Sequence, residues 1–139
     1  MLYQSTRNAD IRVTSAEAIC QGLANDGGLF VPERLPTLGP DELRALQDAS
    51  YEERAKAVLG CFLTDFSEAE LQDIVVRAYG QGQFSHSDIA PVVKVAEKKA
   101  VLELWHGPTS AFKDMALQLL PHLVTTSLKK TNIRDTVAI

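Results

Sequence analysis

The sequence predicts an α/β chain whose N-terminal domain, residues 1–80, is α+β and mostly helical with short strands. Two observations support this. Three segments between residues 40 and 79 carry a helix-start signal followed by apolar residues at helical spacing. After residue 88, two strand-like segments, a helical pattern and a last strand-like segment at 136–139 follow one another. This order indicates the start of a parallel-sheet domain over residues 81–139.

Short extended segments and one helix are predicted for the first 32 residues. Met1–Tyr3 is short and apolar, which predicts an edge strand. The capping box at residues 14–17, TSAE, predicts a helix start, and the glycines within residues 25–28 predict its end. Residues 29–31 are then expected to be extended, because Pro32 restricts the residue before it.

Three short helices are predicted between residues 40 and 79. Pro40 suits the first position of a helix that runs to about Ala49. Capping boxes at residues 50–53, SYEE, and 67–70, SEAE, predict the starts of the next two helices. The apolar residues behind each box share one face, so the three helices are expected to form one unit with solvated charged faces.

The later part of the chain predicts a hairpin and then a helix. Val92–Ala96 and a buried strand that extends to Trp105 flank a turn at residues 97–99. After a Gly-Pro breaker, apolar residues at helical spacing predict a helix from about Ser110. Pro121 falls inside this pattern, so the helix is expected either to kink or to end there.

Charge and composition exclude several classes of protein. The net charge of −4 and pI of about 5.3 argue against a nucleic-acid-binding surface. Residues 1–79 carry 7 basic and 13 acidic side chains, net −6, whereas residues 80–139 carry 7 and 5, net +2. Cys20 and Cys61 lie in helical patterns and predict buried thiols rather than a disulfide. With no signal peptide and no apolar run of about 18 residues, a cytoplasmic protein without a membrane partner is expected.

Lys113 is the candidate for chemistry. The pattern places it in the first turn of the predicted helix, where the helix dipole disfavours a cation by about 0.3–1 kcal/mol. The same field favours the neutral amine, which is the form that Schiff-base chemistry with an aldehyde requires. The spacing alone also permits a plainer interpretation, in which Lys113 extends into solvent and Asp114 is a helix-start carboxylate.

Three motifs in the same order resemble the threonine synthase family, a fold type II family that depends on pyridoxal phosphate (PLP). Residues 106–114, HGPTSAFKD, resemble the family's H-G-P-T-x-A-F-K-D pattern. Residues 3–7, YQSTR, resemble its Y-x-S-T-R opening, and residues 21–32, QGLANDGGLFVP, resemble its Q-G-L-A-x-D-G-G-L-[YF]-V-P segment. The similarity runs along the whole chain and is thin between about residues 37 and 88.

The resemblance implies an activity and a set of site residues. Lys113 would hold PLP covalently, and the reaction would convert O-phospho-L-homoserine and water to L-threonine and phosphate. His106 would line the cofactor, although a structural turn histidine explains it as well. Thr109 and Ser110 would offer an anion site at a helix N-terminus, or simply cap the helix. Arg7 would bind the substrate phosphate, or form a surface ion pair. No metal is expected.

The resemblance also implies a longer protein. Members of the family continue for several hundred residues and carry a Ser/Gly-rich phosphate loop after a strand, whereas this sequence has none and stops at its predicted strand. We therefore expect an N-terminal portion of the enzyme, truncated naturally or by design, that is inactive alone, lacks PLP and self-associates through uncovered apolar faces. Two alternatives are another fold type II lyase, such as a dehydratase, and a non-catalytic threonine-synthase-like interaction module.

Overall fold

The computed structural model describes residues 1–80 and 82–134, so the strand predicted at 136–139 lies outside the described residues. The elements in these ranges are β1 (Tyr3–Ser5), β2 (Arg12–Val13), α1 (Ser15–Gln21), β3 (Phe30–Pro32), α2 (Pro40–Ala45), α3 (Tyr51–Phe62), α4 (Glu68–Tyr79), β4 (Val92–Ala96), β5 (Lys99–Leu102), α5 (Asp114–Leu117) and α6 (Leu120–Lys130). In these ranges no helix has both the length and the apolar character that crossing a membrane requires.

The first three strands form one small antiparallel sheet in the order β2-β1-β3. Tyr3 lies opposite both Val13 and Pro32, so β1 is the central strand. The prediction of an edge strand at Met1–Tyr3 is therefore wrong, because local apolar character does not tell which distant segments will pair. β3 ends at Pro32, and an edge strand tolerates a proline because its outer side needs no ladder donor.

The predicted helix starts are confirmed. Thr14, Ser50 and Ser67 each precede a helix and accept a hydrogen bond from the backbone N–H three residues on. The glutamate carboxylate at that position accepts a hydrogen bond from the backbone N–H of the cap residue. Pro40 begins α2 as predicted, but α2 ends at Ala45 rather than near Ala49. Beyond its end, the Arg54 side chain donates to the carbonyls of Leu46 and Gln47 at 2.9 and 2.7 Å, so these carbonyls need no helical partner.

The core is built on the apolar face of α4. Ile74 is 1% exposed and Val75 is fully buried. α1, α3 and α6 pack around this helix, and the hydroxyl of Tyr79 donates to the carbonyl of Met115 at 2.7 Å. A salt bridge of 2.9 Å between Lys130 and Glu70 ties the end of α6 to the start of α4. The helices after residue 110 thus share a core with the helices before residue 80.

The hairpin is antiparallel as predicted, but it is exposed. β4 and β5 pair from Val92 opposite Leu102, with an irregularity between Lys94 and Ala96, and all of their residues are exposed. The prediction of a buried strand reaching Trp105 is wrong in both respects, since β5 ends at Leu102. Its apolar composition predicts burial only if another layer covers it, and the described residues supply none.

Pro121 coincides with a helix break. α5 ends at Leu117, and α6 begins at Leu120 with the proline in its first turn. A proline in that position needs no backbone donor, whereas inside a continuous helix its ring would clash with the carbonyl of Leu117. Of the two outcomes that the sequence left open, the helix ends early.

Candidate active site

Residues 106–114 form a turn rather than the first turn of a helix. The N–H of Ser110 donates to the carbonyl of Gly107 at 3.1 Å, and Ser110 has a φ of 57°, in the left-handed region. The helix begins only at Asp114, and no side chain caps it. The prediction of a helix from Ser110, capped by Thr109 or Ser110, is therefore wrong, and Lys113 precedes the helix.

The carboxylate of Asp114 holds this turn together. Its side chain is 1% exposed and accepts two hydrogen bonds from Thr109, one from the backbone N–H and one from the hydroxyl, both 2.7 Å. The hydroxyl bond of Thr109 is the main reason that the pKa of Asp114 lies below its ordinary value. Asp114 is therefore an anion, stabilised in its buried position by two donors of one residue.

Gly107 lies directly against this carboxylate. A Cβ added to Gly107 would overlap the side chain of Asp114 and lie 2.9 Å from its Cγ. Only a glycine leaves the carboxylate room to reach Thr109. The helix prediction failed because Thr109 donates to a carboxylate five residues ahead, and no local capping rule describes that spacing.

His106 connects the turn to the segment before the hairpin. Its Nε2 lies 2.7 Å from a carboxylate oxygen of Glu103, and its Nδ1 lies 3.3 Å from the hydroxyl of Ser85. The N–H of Ser85 also donates to the carbonyl of His106 at 2.9 Å. Both ring nitrogens thus have protein partners, and the rings of His86 and Trp105 lie 5.0 and 5.7 Å from the His106 ring, measured between ring centroids. The contacts of His106 with Glu103 and Ser85 were not predicted from the sequence. The only signal for either contact was that Glu103 and His106 lie three residues apart.

Lys113 lies at an open groove of about 1310 Å³. Its walls come from α3, from residues 87–92, from the end of the hairpin and from residues 112–119, and they are largely apolar. Among the described residues that line the groove, Lys113 is the only lysine. Phe112 beside it is 67% exposed, and Val92 across the groove is 68% exposed. An exposed amine therefore adjoins uncovered apolar surface.

The other two motifs meet in a second cluster. The hydroxyl of Ser5, 3% exposed, donates to the carboxylate of Asp26 at 2.8 Å, and the guanidinium of Arg7 donates to the backbone carbonyl of Asp26 at 3.0 Å. The N–H of Gly28, followed by the Ser5 hydroxyl, lowers the pKa of Asp26. A Cβ on Gly28 would overlap the Ser5 hydroxyl, so the two segments pack closely.

The structure gathers only part of the predicted site. His106, Thr109 and Ser110 share one turn with Lys113 but are not among the residues that line the groove, and neither is Arg7. Within residues 1–80 and 82–134, no group of three or more His, Cys, Asp or Glu side chains is placed to hold a metal ion.

Comparison with known proteins decides the family. The family model described as threonine synthase N terminus matches residues 2–79, more than half of the chain. The chain belongs to the threonine synthase family. Threonine synthase of Schizosaccharomyces pombe is 39% identical over 132 residues, which cover 94% of this chain and 25% of that protein. Threonine synthase-like 1 of Mus musculus is 44% identical over 111 residues, 78% of this chain and 15% of that protein.

A solved structure of the family has the same fold. The X-ray crystal structure of PLP-bound threonine synthase from Brucella melitensis matches with a TM-score of 0.88 and 39% identity, covering 95% of this chain and 28% of that one. The mixed helix and strand architecture predicted from sequence is thereby confirmed. The chain spans between 15% and 28% of the length of these relatives.

Proposed function

We propose that the complete gene product carrying this chain is a PLP-dependent threonine synthase, which converts O-phospho-L-homoserine and water to L-threonine and phosphate. The observation that carries the proposal is the position of Lys113. It is the lysine of a turn built by Gly107, Thr109 and Asp114, and it faces an apolar groove in a chain of this family.

The groove and the turn fit PLP in part. An exposed primary amine beside apolar walls suits covalent attachment of an aldehyde whose ring is aromatic. When bound, PLP supplies the electron sink that stabilises a carbanion on the substrate. Lys113 would hold the cofactor, whereas the predicted role of His106 at the cofactor lacks support, because His106 does not line the groove.

The anion site predicted at Thr109 and Ser110 has little geometric support. Both donors of Thr109 are bonded to Asp114, and the N–H of Ser110 donates to Gly107. The following helix has four residues, too few to present a row of free N–H groups. We infer that other residues of the complete protein bind the cofactor phosphate.

In the reaction, Lys113 acts as the residue that moves protons. Once the amino group of the substrate has displaced it from the cofactor, the freed amine of Lys113 would take a proton at the α carbon of the substrate and move a proton at the β carbon. The apolar groove walls, such as Phe112 and Leu104, keep bulk water from the amine once a substrate covers them. Asp114 does not serve as a base, because it is buried against Gly107 and bonded to Thr109.

Arg7 is proposed as a residue that binds the substrate phosphate. Its guanidinium is oriented by the backbone of Asp26, and its side chain remains exposed. If it binds the phosphate of the substrate in the complete protein, Arg7→Gln raises KM with little change in kcat. Loss of kcat without a change in KM would contradict that role.

Three further expectations stay predictions. The division into domains at residues 1–80 and 81–139 is proposed from sequence alone. In the structure α6, which belongs to the second part, packs onto α1 and α4 of the first. We also expect a cytoplasmic location, and self-association of the 139-residue chain through the apolar surface at the groove, which light scattering would detect. A monodisperse monomer at high concentration would contradict the last of these.

The experiment that tests the proposed function is an assay of the complete gene product. The purified protein is incubated with PLP and O-phospho-L-homoserine, and threonine and phosphate are both measured. Equal amounts of the two products, absent in a Lys113→Ala variant, are expected. Formation of a 2-oxo acid from L-serine or L-threonine in a parallel incubation, with no product from O-phospho-L-homoserine, would favour the dehydratase alternative. No turnover of any of these substrates by a folded, PLP-loaded protein would favour the interaction module. The 139-residue chain assayed in the same way is expected to be inactive.

A further inference from the structure

We propose that Asp114 and Thr109 form a positioning pair that aims Lys113 into the groove. The proposal rests on the proposed function, because it assigns their effect to the lysine of that site. It concerns residues that do not touch the reacting atoms, so both are positioning residues rather than catalytic ones.

The pair connects the two ends of the loop that carries Lys113. Thr109 contributes two hydrogen bonds of 2.7 Å to the carboxylate of Asp114, and four residues lie between them. Because the two donors of Thr109 bind the two oxygens of the carboxylate, Thr109 cannot rotate freely relative to Asp114. The backbone of residues 109–114 is thereby closed into a ring by side-chain contacts.

Asp114 and Lys113 are adjacent in the chain but differ in exposure. Asp114 is 1% exposed and lies against Gly107, whereas Lys113, the residue before the helix, is exposed and lines the groove. Because Thr109 fixes the carboxylate of Asp114, it also restrains the backbone from which the Lys113 side chain extends. The carbonyl of Lys113 accepts from Ala116 and Leu117 at 3.0 and 2.8 Å, which holds its backbone in the helix start.

The backbone before Lys113 needs this support. Ser110 adopts a left-handed conformation that a residue with a side chain seldom takes without surrounding restraint. In the described residues no basic side chain pairs with the buried Asp114 carboxylate, and its side-chain partner is Thr109. Loss of the Thr109 hydroxyl therefore releases the carboxylate and lets residues 110–113 relax.

The test compares two substitutions of Thr109 in the complete gene product. Thr109→Ser keeps both donors, whereas Thr109→Val has nearly the same shape and lacks the hydroxyl. We expect Thr109→Val to lower kcat by about 10–100-fold and to change KM by less than about threefold. The reason is that a misplaced Lys113 amine slows the reaction without weakening the binding of the substrate. Thr109→Ser is expected to keep kcat within about threefold of the parent.

A second readout needs neither PLP nor turnover. In the cofactor-free protein, the backbone amide of Thr109 is expected to exchange with solvent at least about tenfold more slowly than in Asp114→Ala, although Thr109 itself is exposed. Gly107→Ala should accelerate this exchange as well, because its Cβ displaces the carboxylate. Gly39→Ala is the matched control, since a Cβ there meets only an exposed glutamate oxygen at 3.5 Å.

The outcomes separate this proposal from the proposed function. Parental kcat in Thr109→Val, equal losses in Thr109→Ser and Thr109→Val, or unchanged Thr109 exchange in Asp114→Ala would each overturn the positioning role. If Thr109→Val does not fold, Asp114→Asn replaces it, with the same kcat loss expected and parental kcat overturning the proposal. A parent that forms no threonine overturns the proposed function and with it the positioning role in catalysis, whereas a protected Thr109 amide would still support the closed loop.

Discussion

The helix starts of α3 and α4 and the turn before α5 use the same residue types, but the hydroxyl accepts a hydrogen bond at the helix starts and donates one in the turn. At residues 67–70 the hydroxyl of Ser67 accepts from a helix amide, and the Glu70 carboxylate accepts from the Ser67 N–H at 2.7 Å. In the turn the hydroxyl of Thr109 donates to Asp114, and its N–H does as well. A hydroxyl and a carboxylate three residues apart start a helix, and the same groups five residues apart close a loop.

The two regions also differ in where the carboxylate lies. Glu53 is exposed at its helix start, whereas Asp114 is buried. A buried carboxylate must keep its hydrogen bonds, because water cannot replace them. The helical region therefore depends on its apolar core, and the turn depends on one polar contact.

The largest expected effect on stability concerns the core. Ile74→Ala removes a side chain that is 1% exposed in α4 and is expected to lower the free energy of unfolding by about 2–5 kcal/mol. Val92→Ala in the hairpin removes a side chain that is 68% exposed, and the expected change in the monomeric chain, measured at low protein concentration, is within about 0.5 kcal/mol. Urea unfolding measures both. A loss at Val92 as large as that at Ile74 would mean that the hairpin is covered in solution.

The next effect concerns the capping boxes. Ser67→Ala removes the hydroxyl that accepts from the N–H of Glu70, and the expected loss is about 0.5–2 kcal/mol in the free energy of unfolding. Ser87→Ala, at an exposed loop serine, is the control and should change stability by less than about 0.5 kcal/mol. Equal effects at the two positions would show that the box adds nothing to α4.

The smallest expected effect is a dependence of stability on pH. The pKa of Asp114 is lowered in the folded protein, first of all by the Thr109 hydroxyl, so the unfolded chain binds a proton at a higher pH than the folded one. The stabilisation is therefore present above the unfolded value, about 3.9, and is lost as the pH falls toward the lower folded pKa. Thermal unfolding of Asp114→Asn should depend less on pH in this window. An identical dependence in both proteins would contradict the lowered pKa.

The sequence predicts the helix starts better than it predicts contacts between distant segments. The starts of α1, α3 and α4 are predictable to the residue, because a capping box and the apolar face behind it lie within one helical turn or two. The central position of β1 is not, since pairing of Tyr3 with Pro32 joins distant segments.

The motif predicts the candidate site, but it does not predict the geometry of that site. The residue pattern is sufficient to single out Lys113, whereas the helix that it predicts for the loop is wrong because Asp114 binds Thr109 instead of a helix amide. The contact between Ser5 and Asp26 is also missed, although both residues lie in motifs of the family, since no local pattern brings two such motifs together.

The most direct measurement of the central claim is the identity of the lysine that holds PLP. The complete gene product is loaded with PLP, reduced with borohydride, digested and analysed by peptide mass spectrometry. We predict that the PLP mass is found on the peptide containing Lys113 and that a Lys113→Ala variant loses it, while Lys98→Ala in the exposed hairpin turn keeps it. Retention of a stoichiometric PLP label in the Lys113→Ala variant, on another lysine, would contradict the account.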